Sequence, residues 1–144
     1  MVLEALSHIG FNKKSIRQGL KKIDNPGRFT WISPTILVDT ANNRENIKIF
    51  SHMVRKLKKH TKIITLFGTT QVEPDYAGEL AGMVQADKRI LIDDFCDRSL
   101  PYESYKNFTQ WTDAIHFSHE KEKIENWLSE KDTTIVVYGS FYLV

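Results

Sequence analysis

The chain has 144 residues, 41% hydrophobic and 26% charged, which is the make-up of one soluble globular domain and excludes a disordered or fibrous segment. Its longest apolar runs, such as 135–138, fall far short of the roughly 20 residues that cross a bilayer, the amino terminus lacks the apolar core of a signal peptide, and a lone Cys96 cannot form an internal disulfide. A cytoplasmic protein is expected, with Cys96 a buried small hydrophobe. The net charge of +2 hides a polarity: residues 1–72 carry 13 basic and 4 acidic residues, or +9, against 7 and 14, or −7, in the rest. Solvated helix faces account for this more simply than an anion-binding surface, so neither nucleic acid nor membrane is an expected partner.

Two short helices are predicted over residues 2–23. Leu6 and Ile9 share one face of the first, which Gly10 stops, and Ile16, Leu20 and Ile23 recur at helical spacing in the second. Asn25-Pro26-Gly27 breaks the pattern as a turn. Residues 35–38 then read as an apolar strand ending at Asp39, and residues 44–59 as a helix with Ile47, Phe50, Met53, Val54 and Leu57 on one stripe and a basic last turn. Residues 62–67 form the next strand, stopped by Gly68. A helix over 76–86 turns Leu80, Ala81 and Val84 inward, followed by a strand over 89–92, a short helix opened by Pro101 with Tyr105 and Phe108, and a short strand over 114–117. Ile124, Trp127 and Leu128 mark the last helix, and 133–138 the last strand, closed by Gly139-Ser140. Continuous apolar strands alternating with helices predict an α/β fold: a three-layer Rossmann-like sandwich with a mostly parallel sheet of about six strands, preceded by a short helical segment. Such sheets bind ligands beyond the carboxyl ends of their strands, here residues 39–43, 68–71, 93–94, His116 and 139–140.

Neither common nucleotide-binding loop is present. The chain has no Gly-Lys dipeptide, hence no P-loop, and no two glycines separated by one residue, hence no dinucleotide fingerprint. Gly78 and Gly82 are spaced for close helix-to-sheet packing. His116 with His119, and Asp93-Asp94 with Asp97, lack the further ligands of a zinc or calcium site, and no metal centre is expected. Tyr102, Tyr105, Phe108 and Trp111 read as core aromatics. No nucleophile, base and orienting group occur in a recognisable order, so hydrolase chemistry has no support.

Five motifs remain in chain order: Pro26-Gly27-Arg28-Phe29, the strand end Asp39-Thr40-Ala41-Asn42-Asn43, Phe67-Gly68, Arg98-Ser99-Leu100-Pro101, and the tail Gly139-Ser140-Phe141-Tyr142-Leu143-Val144. Taken together from Ile16 to Val144 they resemble the carboxy-terminal domain of the Mur ligase superfamily, most closely folylpolyglutamate synthase/dihydrofolate synthase. The resemblance implies that residues 1–25 end a preceding central domain and that 26–144 form the carboxy-terminal domain. The P-loop ATPase domain would then lie outside this chain. It also implies an ATP-dependent amide-forming ligase that activates a carboxylate as an acyl phosphate for attack by an amino acid. ATP and Mg would be bound mainly by the domains absent here, with glutamate and a folate as substrates, and the fragment alone would be inactive.

By the same resemblance Arg28 matches an arginine that reaches ATP phosphates, a task its fixed fork of donors suits. Asp39 matches an aspartate that orients the nucleotide, and also reads as a helix N-cap. Gly139 and Ser140 fall where the family builds part of its amino-acid pocket, and Asn42 takes the place of a catalytic histidine. Thr30 stands for the family's Glu and Thr40 for its Gly; asparagine at 42 keeps hydrogen bonding but cannot take a proton near neutral pH. Ala41-Asn42 is closer to the tripeptide-adding Mur ligases, so a Mur peptide ligase domain is one alternative. A non-catalytic Rossmann-like binding module with a decayed site is the other.

Overall fold

In the computed structural model the described residues are 8, 10, 12–21, 25–58, 61–70, 74–93, 95–105, 115–116, 121–140 and 143. The helices are α1 (Lys13–Lys21), α2 (Arg44–Leu57), α3 (Pro74–Gly82) and α4 (Lys121–Ser129), and a single 3-10 turn spans Tyr102–Tyr105. The strands are β1 (Thr30–Ser33), β2 (Ile36–Asp39), β3 (Lys62–Gly68), β4 (Lys88–Leu91), β5 (Ile115–His116) and β6 (Thr133–Gly139). They form a six-stranded sheet in the order β1-β2-β6-β3-β4-β5, parallel throughout except for the β1–β2 hairpin at one edge. The expected mostly parallel α/β sheet is what forms.

Each helix is set by its stripe. On α2, Ile47, Phe50 and Val54 are buried one to two turns apart. With Ala77, Leu80 and Ala81 of α3 they cover one face of the sheet, meeting Leu37, Ile63, Phe67, Leu91, Val136 and Tyr138. The other face packs Ile64, Leu66, Ile90 and Ile135 against Ile124 and Trp127 of α4. Three layers result, and the central strands β3 and β6, covered on both sides, are buried along almost their whole length. Among the described basic residues of the first half, Lys13, Lys14 and Arg17 of α1 and Arg55 and Lys56 of α2 lie exposed on helices.

Several details depart from the sequence-based expectations. β1 was not anticipated: Trp31 pairs with Leu37 of β2, Ile32 sits at a register shift between Trp31 and Ser33, and both are exposed. The turn joining the hairpin is held by Thr35 N donating to Ser33 Oγ at 3.2 Å. The helix expected over 76–86 runs instead from Pro74, a residue suited to a first helical position, to Gly82. Side chains receive its terminal carbonyls: Tyr138 donates its hydroxyl to Ala81 O at 2.7 Å, and Ser51 donates to Met83 O at 2.6 Å. Of the two glycines in α3 only Gly78 is buried, and Gly82 is exposed, so close packing explains the first alone. Cys96 is half-buried rather than buried, in a turn where its N–H donates to Ser99 Oγ at 2.9 Å. The first predicted helix, Leu20 and Leu128 as packing side chains, and Asp94, Phe108, Trp111 and His119 lie outside what is described.

Candidate functional site at the carboxyl ends of the strands

Residues 25–28 form a turn closed by Arg28 N donating to Asn25 O at 3.0 Å. Pro26 and then Gly27, at φ +76, occupy the central positions that a type II turn assigns to them. Phe29 follows at φ +46, a left-handed conformation that bulky residues rarely adopt. Two contacts hold it there. Its N–H donates to Asp39 Oδ2 at 2.7 Å, and its ring meets Phe50 edge-on at 6.1 Å. Phe50 in turn contacts Tyr138, and Tyr138 contacts Phe67, so aromatic packing runs from the turn into the core.

Asp39 is the junction of this region. It closes β2, is 7% exposed, and spends both oxygens on backbone amides, since Ala41 N donates to Oδ1 at 2.7 Å. The Arg28 guanidinium stands 3.7 Å from Oδ1 with its side chain 44% exposed. Thr40 N donating to Gly27 O at 2.7 Å completes a zipper between 27–29 and 39–41. Asp39 is therefore not the N-cap of α2, the other role its position suggested. Asn43 is: its side chain accepts from Asn46 N at 2.9 Å, three residues on, where an N-cap must reach. Asn42, next to it, is exposed in the loop that enters α2.

Gly139 and Ser140 lie one strand over. β6 pairs with β2 so that Tyr138 stands opposite Asp39, and it pairs with β3 so that Gly139 stands opposite Gly68. These two glycines leave no room for side chains: a Cβ on Gly139, at φ +124, would lie 2.1 Å from Gly68 O, and one on Gly68 would lie 2.9 Å from Ile92 O. Ser140 is buried and donates its N–H to Gly68 O at 2.8 Å. Thr69 is buried beside it, with its carbonyl accepting from Leu100 N at 2.8 Å, which brings the Arg98-Ser99-Leu100-Pro101 motif to the same end of the sheet. Asp93 follows β4 and accepts from Tyr102 N at 3.0 Å.

Arg28, Asp39, Asn42, Gly139 and Ser140 thus share one end of the sheet: Asp39 and Gly139 close the adjacent strands β2 and β6, Ser140 follows β6, Arg28 sits in the turn before β1, and Asn42 in the loop before α2. The sequence reading missed Phe29 as the strained link between Arg28 and Asp39, and Gly68 as the partner of Gly139. A glycine closing each of two apolar strands was the only available signal for the latter. Among the described residues no three His, Cys, Asp or Glu side chains gather as a metal-ligand set.

No protein-family model and no curated protein matches this sequence. Solved structures do match. The bifunctional folylpolyglutamate synthase/dihydrofolate synthase of Yersinia pestis, complexed with AMPPNP and Mn ion, is similar at 17% identity and TM-score 0.72, over 92% of this chain and 33% of that one. The Mycobacterium tuberculosis folylpolyglutamate synthase complexed with ADP gives 14% identity and TM-score 0.70, over 93% and 34%. A bifunctional folylpolyglutamate synthase/dihydrofolate synthase with Mn, AMPPNP and L-glutamate bound gives 21% and 0.71, over 93% and 33%. The chain spans about a third of the length of these structures. Over that third it has the fold of folylpolyglutamate synthase/dihydrofolate synthase, the family that its five motifs resemble.

Proposed function

We propose that this chain is the carboxy-terminal domain of an ATP-dependent amide-forming ligase of folylpolyglutamate synthase type, with residues 1–25 ending a central domain and 26–144 forming the domain itself. The observation that carries the proposal is the half-exposed Arg28 guanidinium, held at the sheet end where Gly139 and Ser140 close the neighbouring strand. A guanidinium placed there meets phosphate oxygens with two parallel donors. Its positive charge suits the transfer of a phosphoryl group to a carboxylate, after which the amino group of glutamate displaces phosphate to form the amide. Asn42, exposed beside the amino end of α2, offers hydrogen bonds to the same ligand without exchanging a proton. Mg is assigned mainly to a P-loop domain and the body of the central domain, outside residues 1–144. The solved structures bound to nucleotide, Mn and L-glutamate support the substrate class.

The test is a heteronuclear NMR titration of the 144-residue chain with Mg-ATP. Millimolar binding, with shifts gathered at residues 27–29, 39–43 and 139–140, is expected. Shifts confined to other surfaces, such as the cationic face of α1 at Lys13, Lys14 and Arg17, would overturn the reading.

A further inference from the structure

Resting on that reading, we infer that the outward face of α1, at Lys13, Lys14, Arg17 and Gln18, is a binding surface for a linear polycarboxylate, the γ-linked glutamate chain that the proposed reaction would lengthen. Asn12 Oδ1 accepts from Ser15 N at 2.8 Å and caps the helix, so Lys13 and Lys14 fill its first turn. Lys13 and Arg17, four residues apart, share a face, with Lys14 and Gln18 beside them. All four are exposed, and a cavity of about 420 Å³ lies against them.

The electrostatics of an isolated helix do not favour this arrangement. Cations in a first turn oppose the macrodipole, and like charges four residues apart repel. The α1 sequence has four cations and no acidic residue to relieve them. Arg55 and Lys56, exposed as well, instead sit in the last turn of α2, where the dipole suits them. Elsewhere in the fold Arg28 stands by Asp39, Arg44 pairs with Glu79, Lys58 with Asp87, and Lys62 and Lys88 with Glu130. Among the described residues Lys13, Lys14 and Arg17 have no such carboxylate. An anion from outside these residues supplies it.

Spacing and position choose the anion. Lys13 and Arg17 stand about 6 Å apart along the helix axis. A γ-glutamyl repeat has five backbone bonds where an ordinary residue has three, so it also advances about 6 Å and carries one free carboxylate per repeat. Arg17 precedes Arg28 by eleven positions, which keeps the two within about 40 Å of each other. A chain of several γ-linked residues spans that distance, with its growing end at the strand ends and its older residues along α1. Other polyanion partners fit less well. The residues against the cavity include no aromatic ring on which a base could stack. Ile16 is turned inward at 6% exposed, which leaves the outer face polar and unsuited to a bilayer.

The test is an NMR titration of the 144-residue chain with penta-γ-L-glutamate at about 20 and 150 mM salt. L-glutamate, α-linked pentaglutamate and a single-stranded oligonucleotide of matched charge are run beside it. Shifts gathered at residues 12–18 are expected, with affinity at least about tenfold above that of L-glutamate and reduced by salt. Replacing Lys13→Gln, Lys14→Gln and Arg17→Gln together should loosen binding by about tenfold or more, the sum of three exposed charge pairs. The melting temperature of that variant should hold or rise, since repulsion within α1 is relieved. No binding, shifts confined to other surfaces, or an unchanged affinity in the triple variant overturns the inference. An α-linked peptide that binds as tightly assigns the face to an acidic protein segment, and a tighter oligonucleotide assigns it to nucleic acid; either result overturns the γ-linked chain. Failure of the ligase reading is separate, because it shows as Mg-ATP leaving 27–29, 39–43 and 139–140 unshifted whatever the glutamate chain does.

Discussion

Tyr138 carries a hydroxyl into the centre of the core and donates it to a helix-terminal carbonyl, Ala81 O, at 2.7 Å. Tyr138→Phe keeps the volume but leaves that carbonyl without its side-chain donor, which costs about 1–3 kcal/mol and lowers the urea midpoint of unfolding. Burial also pushes the phenol far above its ordinary range, with Arg89 opposing only in part. A folded-state pKa above the unfolded one means that the unfolded chain loses its proton first. The tyrosine's contribution is therefore complete below about pH 10 and declines as pH rises beyond it. Denaturation midpoints measured from pH 8 to 11 should fall more steeply for the wild type than for Tyr138→Phe. Asp87 shows the opposite sign. Burial alone would raise its carboxyl, but the Ile63 amide at 2.8 Å and Lys58 at 3.1 Å outweigh it and hold it below the usual aspartate range. Its stabilising effect is present above that range and lost on acidification. Because the side chain is 41% exposed, the effect is small, under about 1 kcal/mol. Asp87→Asn should trail the wild type near pH 6 and converge with it near pH 3 in the same urea assay.

At the scale of elements, the junction of β3 and β6 is the least tolerant place in the described structure. A Cβ on Gly139 would run into the Gly68 backbone, and one on Gly68 into the Phe95 ring and the Ile92 carbonyl. Gly139→Ala would need both a left-handed backbone and displacement of the Gly68 carbonyl, a backbone atom that cannot rotate away. A loss of at least about 3 kcal/mol is expected, enough to leave much of a marginal domain unfolded, and circular dichroism with a melting curve checks it. The start of α2 is a milder case. Asn43→Ala removes a single cap, about 1 kcal/mol, and should lower the melting temperature by a few degrees without altering the fold.

For the whole molecule the decisive fact is that the chain spans about a third of the length of each solved structure. Phosphate-cradling amides of a P-loop are absent from its sequence, so calorimetry on the isolated chain should find Mg-ATP affinity far weaker than micromolar. Under the proposed ligase function, Asn42→His in an enzyme with P-loop and central domains should leave amide formation within about tenfold, a barrier change of about 1.4 kcal/mol. The exposed loop beside the amino end of α2 is already polar and anion-tolerant without a titrating ring. A large gain confined to acidic pH would instead assign the position a cationic role and favour the decayed-module reading of the natural sequence.

Local chemistry was enough for much of this architecture. The stripe of Ile47, Phe50 and Val54, the unbroken apolar runs of β3 and β6, and the glycines that stop them are periodic or punctuating signals spanning a few residues, and they specify an α/β sheet before any contact is known. Five short motifs in register also pointed to one family's fold, and the rule for parallel sheets pointed to the strand ends as the candidate site. Other features depend on residues far apart in sequence. β1 is four residues with exposed Trp31 and Ile32, and no periodicity marks it until β2 supplies a ladder. The insertion of the last strand, β6, between β2 and β3 is decided by how the helices cover the two faces, and it alone brings Gly139 against Gly68. Asp39 read equally well as a helix cap or a nucleotide-orienting group; only folding the 27–29 bend back onto it gave each of its oxygens a backbone donor and left the cap to Asn43, because a carboxylate's partners are set by the donors that tertiary structure delivers to it.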